Sequence, residues 1–136
     1  ALVDHVAMVS ENGMLIEAVG GGVKEHSYLY HCRKYEIWCK VLAPKKKKLL
    51  ALEWAKCQKG KSYDKLQLPG ILLAWALHKK KALIDHPNKF VCSELVAEAY
   101  EKGAGIKLCK RHESVISPQD LFESKKTNPV KVWIQA

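Results

Sequence analysis

The sequence has no Cys-x-x-Cys pair, and its five cysteines are an odd number. Both facts disfavour a disulfide framework and a four-cysteine zinc site, and a reducing compartment is the expectation. No run of about 18 apolar residues occurs, so no transmembrane helix is expected. The longest apolar run, Leu68 to Leu77, contains Pro69 and Gly70 and is too short for a bilayer. The start carries no basic region and no small-residue cleavage site, because Leu2 and Val3 lead straight into Asp4 and His5. The cytoplasm is therefore the favoured location, with export open if an N-terminal segment is missing. No internal repeat and no linker interrupts the chain. Acidic residues are the scarcer sign, 14 against 23 Lys and Arg, for a formal net charge of +9. That balance disfavours cationic substrates and favours nucleic acid, anionic lipid or acidic polymer.

What is present suffices for one folded domain. The chain has 136 residues and is 48% hydrophobic, which excludes a mostly disordered polypeptide. Leu2 to Ser10 reads as a strand, Glu11-Asn12-Gly13 as a turn, and Met14 to Val19 as a second strand. Gly20-Gly21-Gly22 breaks the chain, and Val23 to Tyr30 reads as extended. Lys34 to Leu42 alternates as a half-buried strand. Pro44 opens a helix to about Lys59, with Gly60 as its stop. A second helix is expected over Pro69 to Lys80, and a third over Ser93 to Lys102, closed by Gly103. Ser117-Pro118-Gln119-Asp120 reads as an N-cap with Pro in the first turn, and Val130 to Ile134 as a last strand. Strands first and helices later predict an α+β fold.

Three polar residues stand out. Cys92, in Phe90-Val91-Cys92-Ser93-Glu94-Leu95-Val96, falls at a helix N-terminus or one residue before it. Free N–H groups and the positive end of the helix dipole stabilise a thiolate there, which is the nucleophilic form. Glu94 opposes this, and a packing cysteine explains the same position. Of the six histidines, only His5 sits in an apolar strand; His78, His86 and His112 read as surface residues. Glu17, between Ile16 and Ala18, is a carboxylate inside an apolar strand and needs a partner.

The hairpin register decides whether His5 and Glu17 meet. A two-residue Asn12-Gly13 turn puts Glu17 on the opposite face from His5. A three-residue loop with Gly13 left-handed pairs Ser10 with Met14, His5 with Val19 and Ala7 with Glu17. His5 and Glu17 are then diagonal neighbours about 7–8 Å apart at Cα, within hydrogen-bonding reach. A functional pair predicts the three-residue loop.

Asp4-His5-Val6-Ala7-Met8-Val9, Leu15-Ile16-Glu17-Ala18, Gly22-Val23, Gly60-Lys61-Ser62-Tyr63-Asp64 and the Cys92 segment follow one another in order. Together they resemble the YiiX/YebB-like branch of the NlpC superfamily, circularly permuted papain-like cysteine hydrolases related to lecithin retinol acyltransferase. The resemblance spans about residues 2 to 122. It implies a permuted papain-like fold, an antiparallel sheet against helices with the nucleophilic Cys at a helix N-terminus. It implies Cys92 as nucleophile, His5 as base and Glu17 as the residue that orients His5. Tyr63 matches a tyrosine near the nucleophile, suited to the oxyanion or to substrate, and a packing tyrosine fits equally. Asp64 is a weaker substrate-binding candidate. Residues 1–136 then read as one hydrolase domain lacking its first strand and loop, and no cofactor or metal is implied.

The basic clusters Lys45-Lys46-Lys47-Lys48 and Lys79-Lys80-Lys81 read first as solvated surface. Lysines at a helix start oppose the dipole, which leaves an anionic surface as their functional option. The Pro69 helix with its following lysines fits an interfacial anchor, an acyl-binding wall or a core helix. Nucleic acid is disfavoured, because no recognition helix occurs and the lysines are not interleaved with aromatics. His31, Cys32 and Cys39 fit no common zinc spacing. The expected substrate is a peptide, cell-wall or lipid-like amide or ester. Three functions are therefore in competition: a peptidase- or amidase-like cysteine hydrolase, a lipid-directed acyl hydrolase or acyltransferase, and a basic binding module with a vestigial site.

Overall fold

The computed structural model describes residues 3–19, 22–30, 35–61, 89–110 and 116–134. The fold is α+β, with two small antiparallel sheets and a few helices among the described residues. One sheet has the order β1-β2-β3, from Met8–Val9, Met14–Val19 and Gly22–Ser27. The other pairs β4, Tyr35–Val41, with β5, Thr127–Ile134. Helix α1 is Lys45–Lys56, α2 is Lys89–Glu98 and α3 is Pro118–Phe122.

The first hairpin takes the three-residue register. Met8 pairs with Ile16 and Val9 with Leu15, and the Ser10 N–H donates to the Met14 carbonyl at 2.8 Å. Asn12 and Gly13 both have positive φ, 56° and 73°, which is why Asn and Gly stand there. The first strand is shorter than Leu2 to Ser10: only Met8–Val9 pairs in the sheet. Upstream, the Val3 N–H donates to Gln119 Oε1 at 3.0 Å, so the chain leaves the sheet and docks beside α3.

Strand β3 pairs along all of β2, from Val19 with Gly22 to Met14 with Ser27. It ends at Ser27 rather than Tyr30, because the Ser27 hydroxyl accepts from the Leu29 N–H and starts a tight turn over Tyr28–Tyr30. Across the second sheet a bulge lies between Trp38 and Cys39, where Cys39 faces Pro129. Proline has no N–H to give a ladder, and the bulge is where its absence is tolerated. Cys39, expected on the same face as Ile37, is exposed while Ile37 is half-buried.

Pro44 is the cap of α1 rather than its first residue, with extended backbone. The helix ends at Lys56, short of Lys59, and turns lead to Gly60 at φ 83°. Gly60 and Lys61 then bond to both sides of Val23, tying the end of α1 to β3. Helix α2 is buried on every side from Cys92 onward, and continues into one π-turn over Ala99–Gly103. A Cβ on Gly103 would lie 2.8 Å from both the Leu50 carbonyl and the Trp54 Cβ, so α1 and this turn pack backbone to backbone. Helix α3 carries the expected Ser117 cap, with Asp120 returning the bond as a capping box. Ile16, Ala18 and Val23 of the first sheet meet Leu52, Ala55, Leu95 and Ala99 of the helices in one core.

Candidate functional site

Glu17 is the organising residue of the site. It sits on β2, the central strand of the first sheet, and is only 2% exposed. A carboxylate taken that far from water is costly unless donors surround it. Two histidines supply them. His5 Nε2 donates to Glu17 Oε2, and His26 Nε2 donates to Glu17 Oε1. The three-residue loop sets the register of β1, and the segment upstream of it brings His5 to Glu17. His26 reaches it because β3 places His26 opposite Leu15, two residues from Glu17 on the same side of the sheet.

The other end of His5 meets helix α2. Burial disfavours the charged ring, but hydrogen-bonding and electrostatic contacts with Cys92, and then with Glu17, outweigh it and push the His5 pKa up to about 9. Glu17 occupies Nε2, so Nδ1 is the ring nitrogen left for the Cys92 sulfur. The three residues that stood out in the sequence are thus in contact in the order Cys92, His5, Glu17.

Cys92 lies in the first turn of α2, which begins at Lys89, slightly earlier than the sequence suggested. Asn88, a residue type suited to capping, precedes Lys89 in the sequence. The dipole argument holds for the whole first turn. Glu94 is buried, but positions i and i+2 of a helix do not face each other, so it points away from the thiol. Ser93, also buried, donates from its hydroxyl to the Ile116 carbonyl and anchors α2 to the segment before α3.

An apolar groove of about 830 Å³ lies between the sheets and the helices. His5 reaches it, while Val6, Ile37, Leu49, Leu52 and Phe122 form part of its walls. Cys92 has no exposed surface and does not line the groove. Lys45 and Lys48 line it as well, so two members of the first lysine cluster stand at an apolar cavity rather than only in solvent.

Tyr63, Asp64, the expected Pro69 helix, Lys79 to Lys81, and His31, Cys32, His78, His86 and His112 lie outside the described residues. His26 is the site residue that sequence reasoning missed. Its signal was the Gly20-Gly21 pair, which reads as a two-residue hairpin loop as well as a break, and that pairing puts His26 beside Glu17. Among the described residues, no group of three or more His, Cys, Asp or Glu is placed to hold a metal ion. Among them, too, no helix is long and apolar enough to cross a membrane. Searches of protein-family models, curated proteins and solved structures give no match to this chain.

Proposed function

We propose that this protein is a permuted papain-like cysteine hydrolase that cleaves an amide or ester through an acyl-enzyme. The observation that carries the reading is the double contact of His5, which touches the Cys92 thiol and the buried Glu17 carboxylate at once. A base held between a thiol and an acid is what thiol activation needs. The motif order, His5 first and Cys92 last, agrees with the permuted family that the sequence resembles.

His5 holds the proton that Cys92 gives up, as an imidazolium that Glu17 stabilises. The thiolate attacks the substrate carbonyl, giving a tetrahedral oxyanion. Amides at the N-terminal end of α2 hold its charge, with Tyr63 as a second donor by family resemblance. Collapse breaks the amide or ester bond, and His5 returns its proton to the leaving group. Water, deprotonated by His5, then hydrolyses the thioester and frees Cys92. Cys92 is buried and His5 lines the groove, so the His5 side is the route by which a substrate carbonyl approaches the thiol.

A lipid-directed acyl hydrolase is the second reading, and the apolar groove with Lys45 and Lys48 on its lining favours it. An acyl chain fits apolar walls, and lysines suit an anionic headgroup. Nitrophenyl esters of increasing chain length test both readings. Under the first, intact mass shows a covalent acyl adduct on Cys92 that His5→Ala does not form. Rates that rise with chain length, and rise again on anionic vesicles, select the lipid reading. Salt-sensitive vesicle binding that survives Cys92→Ser, with no adduct from any ester, leaves only a basic binding module.

A further inference from the structure

We infer that His26 is a positioning residue of the same site, extending the Cys92–His5–Glu17 series by one member and holding Glu17 ionised and aimed at His5. This inference rests on the hydrolase reading above. Glu17 has two oxygens and spends one on each histidine, Oε2 on His5 and Oε1 on His26. The second bond does not touch the thiol, so packing at Cys92 does not require it.

The chemistry of a buried carboxylate explains the arrangement. With both oxygens accepting N–H bonds, Glu17 favours its charged form and keeps one rotamer. Removing one donor from so buried a group raises the cost of its charge, and a protonated Glu17 no longer stabilises the His5 imidazolium. Among the described residues of β3, the other charged groups are placed differently. Lys24 pairs with Glu17 in the sheet register but is exposed. Glu25, the neighbour on β3, accepts from the Ser10 hydroxyl at 3.0 Å and from Lys59 at 3.4 Å. Across the strand, the partner of His26 is the apolar Leu15. The N–H of His26 is therefore a second donor to this acid beside that of His5, and a neutral donor at the same reach does the same work.

The test compares His26→Leu with His26→Gln, whose amide Nε2 reaches as far as the imidazole Nε2. Alkylation of Cys92 by iodoacetamide is followed against pH, with the thermal midpoint checked for each variant. At the acid end of the profile His26→Leu slows the reaction by about tenfold, the loss expected for one bond to a buried charge. Its profile also moves toward higher pH, and His26→Gln restores both rate and profile. A His26→Leu variant with an unchanged profile overturns the inference while Cys92 stays reactive and the hydrolase reading stands. Equal loss in both variants also overturns it, because bulk and fold rather than the N–H then matter. A Cys92 that reacts no faster than a free thiol in the unaltered protein fails the hydrolase reading, and the inference falls with it.

Discussion

Glu17 and His5 each solve a problem for the other. A carboxylate on a central strand needs donors, and an imidazole with a partner on each side keeps its proton to a pH near 9. Replacing Glu17 with Gln removes the charge but keeps the size, so it lowers the His5 pKa. NMR titration of the His5 ring should show that fall directly, and Cys92 alkylation should slow by about tenfold or more at neutral pH. The anomalies that led here were legible as single residues, because a polar side chain inside an apolar strand has few explanations. His26 was not legible in that way. It stands among Lys24, Glu25 and Ser27, where a histidine is unremarkable, and only the pairing of β3 with β2 brings it to Glu17.

The Glu11–Gly13 turn is the element on which the site depends. Deleting Ser10 keeps the three-residue loop and slips β1 by one residue against β2. His5 and Glu17 then fall on opposite faces. The expected outcome is loss of fast Cys92 alkylation with little change in helix content by circular dichroism. Fast alkylation retained in that deletion would separate the site from the register. Elsewhere the helix ends carry the stability. Gly103→Ala places a methyl 2.8 Å from the Leu50 carbonyl and the Trp54 Cβ. It should cost about 1–3 kcal/mol in urea unfolding, the range for overpacking a close contact. Ser117→Ala removes one half of the capping box on α3 and should cost about 1 kcal/mol. The cap, the Asn-Gly turn and the Pro44 start were all readable, because each rests on local backbone geometry. The early start of α2 at Lys89, the π-turn at Ala99–Gly103 and the bulge at Trp38 were not. Packing between elements distant in sequence sets the last two.

At the scale of the whole molecule, the protonated His5 links folding to pH. Its folded value of about 9 stands above the ordinary 6.5, so the fold favours the proton. The resulting stability is fully present below about 6.5 and is lost as pH rises through about 9. The unfolding free energy of the native protein, measured against that of His5→Ala from about pH 6 to about pH 10, should show the difference shrinking across that interval. A difference that stays flat removes His5 from the stability of the fold. The net charge of +9 gains a partial account from Lys45 and Lys48, which line the apolar groove.

The central claim is that Cys92 is an activated nucleophile, and relative thiol reactivity tests it most directly. Cys39 and Cys57 are exposed and Cys109 is partly so, whereas Cys92 is buried. Accessibility alone therefore predicts that Cys92 reacts last. Brief alkylation with iodoacetamide, followed by peptide mapping of each cysteine, should instead find Cys92 modified first, and His5→Ala should remove that priority. Modification of Cys39 and Cys57 ahead of Cys92, in an order that His5→Ala leaves unchanged, would contradict the account.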